Sequence, residues 1–395
     1  MLYNKKTILF LLLLLSFFGC NPKLASIINS GKTDDNFRTV IPFETKMGLI
    51  IIEAKVKGKP YQFIFDTGAM ASIISPEMKN RLGLETLMTE KIYDVDNNYI
   101  EQEFTKVEHF EIGNTSFSDI GAIVMDLNAI PTVKCFGVDG LIGSNLFRHA
   151  TWFIDYERKE IVIANDRSQL KKSTEGFTSV KFFEGFGGVP SLTTYINENK
   201  VLNTVIDYGF GGEVQLDEKH VKKVESEKVH KGYGVTSVGL YGEEVPKLSY
   251  SGTIKSFSLG NGLDFENQKI TFEGKYSNTL GTGIFKYHHI ILDWNNKEIL
   301  FKRNNIPKKI KNELGYALGY RDGAVYIRNV YENSIAMKKG LQLQDKIIAI
   351  DGVNFERIDE KKWCEYLINA GNSNTKVLLI ERDGVRHEIT FEVNS

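Results

Sequence analysis

The chain has 395 residues at 42% apolar and 25% charged composition, more than a single hydrophobic core organises, so two or three domains are expected and disordered or collagen-like architectures are excluded. Lys plus Arg number 49 against 50 Asp plus Glu, which leaves no basic surplus for phosphates and argues against a nucleic-acid partner. Frequent glycine (35), scarce proline (8) and 11% aromatics fit a mostly β chain of twisted strands and tight turns.

At the N-terminus, Lys5-Lys6, an apolar run from Ile8 to Phe18 and then Gly19-Cys20 have the charge, length and small residue of an export signal. The run is too short to span a bilayer. A small residue immediately before cysteine resembles the lipobox of bacterial lipoproteins, although Phe17 stands at the usual leucine position. That resemblance implies that Cys20 becomes a lipidated N-terminus, anchoring an exported protein in the bacterial cell envelope; the plain alternative is a cleaved signal with an incidental cysteine. Residues 21–39 read as a polar tether with a random-coil reach of about 25 Å. Gly31-Lys32-Thr33 lacks the preceding glycine and strand of a phosphate-binding loop and belongs to this linker. With Cys20 set aside, Cys135 and Cys364 are the other cysteines. They fall in separate predicted domains and are expected as buried free thiols.

From residue 40 the chain repeats itself. At an offset of 141, Lys59, Ile64, Phe65, Asp66 and Gly68 meet Lys200, Val205, Ile206, Asp207 and Gly209; at an offset of 138, Gly143, Phe147, Asp155 and Lys159-Glu160-Ile161 meet Gly281, Phe285, Asp293 and Lys297-Glu298-Ile299. Two homologous lobes are predicted, residues 40–167 and 178–304. Each opens with a strand, a turn and a second strand that runs into an aspartate on a glycine-containing loop: Ile50 to Val56 and Tyr61 to Phe65 before Asp66, then Leu192 to Ile196 and Val201 to Ile206 before Asp207. An acid at the end of a buried strand is poorly explained as surface decoration.

Phe65-Asp66-Thr67-Gly68-Ala69, with Leu141-Ile142-Gly143 downstream, resembles the aspartic proteases of both the two-lobed pepsin type and the retroviral type. The resemblance covers residues 40–304 and implies two β-barrel lobes, each lending one aspartate to a shared dyad, here Asp66 and Asp207. It also implies that Thr67, Gly68, Ala69, Tyr208 and Gly209 shape the two catalytic loops, and that Gly143 and Gly281 lie in segments packed behind them. Two positions depart from the pattern: Tyr208 replaces the threonine whose hydroxyl crosses between lobes, and Thr279-Leu280-Gly281 has one apolar residue fewer before its glycine.

The implied activity is endopeptidase cleavage of a peptide or protein substrate by an activated water, with no metal, cofactor or covalent intermediate. The alternatives are an inactive peptide-binding lipoprotein of the same fold, and a lobe-one homodimer active in the retroviral manner. No His-Glu-x-x-His, Gly-x-Ser-x-Gly or Gly-x-Gly-x-x-Gly motif competes, and the seven histidines read as structural. A flap is expected over the cleft; Ile92 to Phe104, turning at Asp94 to Asn98, is the lobe-one hairpin and offers Tyr93 or Tyr99 to substrate. Gly232 to Val245 is its lobe-two counterpart.

After a basic connector, Lys302 to Lys311, the segments Leu314-Gly315-Tyr316, Ala336 to Leu341 and Asp345 to Gly352 resemble a PDZ domain over residues 312–395. That resemblance implies that Leu314, Gly315 and Tyr316 form the loop that grips the carboxylate of a C-terminal peptide, which then adds as a strand. Glu313 brings a negative charge to that loop, for Lys308, Lys309 or Lys311 to offset. A PDZ fold used only for packing is the alternative.

Overall fold

The computed structural model describes residues 21–391 apart from 94–98, 172, 225–228, 236–245, 275–277, 309–313, 370–374 and 376. The export segment with Cys20, the flap turn at Asp94 to Asn98, most of the lobe-two hairpin tip, and Lys309, Lys311 and Glu313 lie outside the described residues. The fold is mostly β, as expected.

Each lobe is built on the repeated motif. Leu49–Val56 and Lys59–Phe65 form an antiparallel hairpin, because alternate residues such as Ile50, Ile52, Ala54 and Val56 are buried while Glu53 and Lys55 reach solvent. Gly140–Ile142 then lies parallel to Phe63–Phe65. In lobe two, Pro190–Ile196 pairs with Asn199–Ile206, and Thr279–Leu280 lies parallel to Val205–Ile206. Both aspartates are thereby delivered at the ends of internal strands.

A six-stranded sheet joins the lobes in the order Thr178–Lys181, Glu298–Arg303, His288–Asp293, Thr151–Asp155, Glu160–Ala164, Arg38–Pro42. Its centre is the antiparallel pairing of Thr151–Ile154 with Ile290–Asp293, strands that end in the repeat-matched Asp155 and Asp293. At one end of this pairing Arg167 meets Asp293 (3.4 Å) and Glu298 (2.7 Å). At the other, His289 lies 3.6 Å from Asp155 and 3.0 Å from Glu157 and stacks on Phe153.

The stretch read as a free tether is docked. Pro22–Ile28 is a helix capped by the Asn21 side chain, which accepts from the N–H groups of Lys23 and Leu24. Its Leu24, Ile27 and Ile28 are buried, Ser30 donates to the Asp119 carbonyl, and Lys32–Thr33 pairs with Phe117 and Ser118. Three apolar residues at helical spacing hold it, a pattern too short to separate from an irregular linker in sequence.

The thiol expectation is also corrected. Cys135 and Cys364 form a disulfide across 229 residues, with Cα atoms 4.9 Å apart; separation along the chain carries no information about this approach. Cys364 lies on the helix Glu360–Asn369 of the C-terminal module, and Lys134 pairs with Glu360 beside it. The module is held to lobe two as well. The lobe-two strand Val229–Gly234 pairs with Ala324–Tyr331 through Gly232 to Tyr331, Tyr233 to Val330 and Gly234 to Asn329. Gly234 has φ +146, and a Cβ there would stand 2.2 Å from the Arg328 carbonyl oxygen; only glycine permits that approach.

Candidate active site

Strand pairing fixes the positions of both acids. The Asp66 N–H donates to the Ile142 carbonyl (3.0 Å) and the Asp207 N–H to the Leu280 carbonyl (2.8 Å). The chain then turns back on each carboxylate: Asp66 Oδ1 accepts from the N–H groups of Gly68 (2.8 Å) and Ala69 (3.0 Å), and Asp207 Oδ1 accepts from Gly209 N–H (2.7 Å). The glycines serve a second purpose. A Cβ on Gly68 would stand 2.5 Å from Asp207 Cγ, and one on Gly209 would stand 2.3 Å from Asp66 Cγ. Each lobe's glycine therefore packs on the other lobe's carboxyl, and the two acids meet across the lobe boundary.

Asp66 is fully buried and Asp207 is 4% exposed. Burial raises the Asp66 carboxyl to about 6, against the lowering effects of the Asp207 carboxyl and of the Ala69 and Gly68 N–H groups. Burial also raises Asp207 well above its usual range, and the charge of Asp66 raises it further. Two like charges in one buried site cannot both be ionised, so the pair retains a proton near neutral pH.

The two sides of the lobe bridge differ. Thr67 Oγ1 donates to the Ile206 carbonyl (2.6 Å) and accepts from Tyr208 N–H (3.1 Å), joining lobe one to both sides of Asp207. Tyr208 returns no such bond. Its ring is buried, and its hydroxyl has no hydrogen-bond partner among the described residues.

Gly143 and Gly281 lie behind these loops. A Cβ on either would approach backbone oxygen, Ala71 at 2.6 Å or Gly212 and Phe210 at 2.4 Å. Ser144 and Thr282, which follow these glycines, were not singled out from the sequence. Ser144 Oγ donates to the Thr67 carbonyl (2.7 Å) and its N–H to Ala69 (2.8 Å), while Thr282 N–H donates to Phe210 (2.9 Å). Their shared offset of 138 with the glycine pair was the available signal. Asn145 adds a third tie, accepting from Ser72 N–H and donating to the Gly121 carbonyl.

The lobe-one hairpin forms from Met88–Tyr93 and Tyr99–Ile112, and the backbones of Tyr93 and Tyr99 are register partners. In the C-terminal module, Gly315 (φ +81) packs on Ser334, and the carbonyls of Leu314 and Gly315 accept from Ala336 and Tyr331. The Tyr316 ring stacks on Phe391. Among the described residues, Tyr316–Arg321 pairs with one strand alone, Ala324–Tyr331. Lys308 pairs with Glu213 of lobe two (3.8 Å).

Residues 52–146 match the family described as aspartyl protease, a span that takes in Asp66 through Gly143 and ends within lobe one. Residues 326–381 match the PDZ domain family. No curated protein matches the chain. The chain thus carries an aspartyl protease domain followed by a PDZ domain.

Proposed function

We propose that this protein is an aspartic endopeptidase in which Asp66 and Asp207 of one chain form the catalytic dyad. The observation that carries this reading is the reciprocal packing of each aspartate on the other lobe's glycine, which brings together two buried carboxyls with raised proton affinity. With one proton between them, the ionised member draws a proton from water as that water attacks the scissile carbonyl. The protonated member donates to the carbonyl oxygen, and the roles reverse as the amine leaves.

The PDZ module would take C-terminal peptides of substrates or partners on Leu314, Gly315, Tyr316 and the edge of Tyr316–Arg321 that pairs with no strand among the described residues. Export and lipid anchoring at Cys20 complete the proposal, and the disulfide supports an oxidising compartment such as the cell envelope. A docked Pro22–Ile28 helix would then hold the body close to the membrane instead of on a long tether. The missing hydroxyl bridge from position 208 to lobe one favours a second reading, an inactive peptide-binding relative. Incubation with a diverse peptide library and mass spectrometry of the products decides between them. Cleavage by the wild type that is absent with Asp66→Asn supports the protease, and an uncut library supports the binding protein.

A further inference from the structure

Where the repeat would place a second threonine, the structure places a ring. Tyr208 lies 4.7 Å from Phe285 in a stacked arrangement and 5.2 Å from Phe65 edge to face. Phe65 immediately precedes Asp66, and its ring lies 4.1 Å from that of Phe147. Phe147 and Phe285 are repeat partners, each four residues beyond its glycine. A continuous run of rings, Phe147, Phe65, Tyr208 and Phe285, therefore crosses the lobe boundary, and its two central rings belong to the chain neighbours of the two acids.

We propose that Tyr208 is a positioning residue for the dyad, its ring wedged between Phe65 of lobe one and Phe285 of lobe two so that Asp207 is held against Asp66 where the hydroxyl bridge is missing. This rests on the dyad being the reaction centre. Thr67 supplies the polar half of the lobe contact, to Ile206 and Tyr208, and the Tyr208 ring supplies the apolar half. The backbone of residue 208 is thus gripped by a hydroxyl from lobe one while its side chain grips lobe one in return. An edge-to-face and a stacked contact fix the ring's orientation as well as its distance, and adjacent residues in one loop cannot shift independently. The proposal assigns the phenol oxygen no part, since among the described residues it has no hydrogen-bond partner. Burial raises the Tyr208 phenol well above its usual range and the Tyr156 phenol raises it further; burial likewise raises Tyr156, so both stay protonated through the working range.

The test compares Tyr208→Phe, Tyr208→Leu and Tyr208→Thr in the full chain. Each is assayed for kcat and KM across pH, and the Asp66 and Asp207 carboxyls are titrated by carbon NMR. Tyr208→Phe keeps the rings and should hold kcat within about twofold of wild type with an unchanged titration. Tyr208→Leu and Tyr208→Thr should lower kcat by about a hundredfold, the scale of an ångström-sized misplacement, with KM little changed. In both, the two dyad pKa values should move closer together as the carboxyls separate. Wild-type kcat and titration in Tyr208→Leu would overturn the proposal, as would loss of activity in Tyr208→Phe. Should Tyr208→Thr fail to fold, Tyr208→Leu and Phe285→Leu carry the same comparison. The titration does not need turnover. If the wild type cleaves nothing, a narrowed titration in Tyr208→Leu keeps the positioning role while the protease reading falls, and an unchanged one removes the positioning role.

Discussion

Replacing Thr67 with valine removes a buried hydroxyl while keeping its shape, and the cost can be worked from two bonds. Thr67 Oγ1 donates to the Ile206 carbonyl at 2.6 Å and accepts from Tyr208 N–H at 3.1 Å, and Thr67 itself is fully buried. Valine leaves a carbonyl and an N–H without partners, each costing about 1–3 kcal/mol. The added methyl returns roughly 0.8 kcal/mol through apolar burial. The net loss is about 3 kcal/mol, concentrated at the lobe boundary. Urea unfolding followed by tryptophan fluorescence measures it. A Trp363→Phe background leaves Trp152 and Trp294, both in the core shared by the lobes, as the reporters. Thr67→Ser keeps both bonds and should lose about 1 kcal/mol for one methyl. A Thr67→Val protein within 0.5 kcal/mol of wild type, beyond which buried-bond losses should stand out, would show that the inter-lobe hydroxyl contributes nothing and would refute the reasoning.

Because burial raises both dyad carboxyls, their contribution to stability is complete below about pH 4, the unfolded carboxyl range, and falls as pH rises: the Asp66 share is lost through about 6, and the Asp207 share, raised well above its usual range, is lost at higher pH. Thermal melting temperature should therefore fall across that window, and Asp66→Asn should flatten the fall; a wild-type melting curve independent of pH between 4 and 8 would contradict the burial argument. Reduction of Cys135–Cys364, or Cys364→Ser, should raise hydrogen exchange in Glu360–Asn369 and around Pro131–Lys134, whereas equal protection in both redox states would show that the lobe-two strand pairing suffices. Adding Gly234→Ala to that reduced protein should release the PDZ module, since its Cβ meets the Arg328 carbonyl oxygen at 2.2 Å, and small-angle scattering would read the expansion. Removing residues 21–30 should cost several kcal/mol, about 1.5–3 for each of the buried Leu24, Ile27 and Ile28; an unchanged unfolding midpoint would restore the free-tether picture.

The elements legible in the sequence are those fixed by local pattern. Alternation from Leu49 to Val56 and the repeat offsets place both aspartates at strand ends, each with a glycine two residues on, at 68 and 209. What escaped was long-range. Nothing in the spacing of Cys135 and Cys364 announces a bridge between domains, and seven residues are too few for Pro22–Ile28 to declare a buried face. The docking of Val229–Gly234 on the PDZ strand depends on backbone edges, which carry no side-chain signature. In the sequence Tyr208 reads only as the replacement of the threonine whose hydroxyl crosses between lobes, which says nothing of where its ring goes. The structure turns it toward lobe one, because Phe65 and Phe285 offer an apolar slot there. Ser144 and Thr282 were readable from the repeat, but only by following it one residue past its glycines.

Whether one chain holds a complete dyad can be tested by mixing. Asp66→Asn and Asp207→Asn chains are purified separately, checked for folding, and assayed for peptide cleavage alone and together at concentrations where wild type turns over. The single-chain dyad predicts no cleavage by either variant and none by the mixture, since every molecule lacks half of the shared proton system. Cleavage by Asp207→Asn alone would contradict it, placing the reaction between two copies of lobe one.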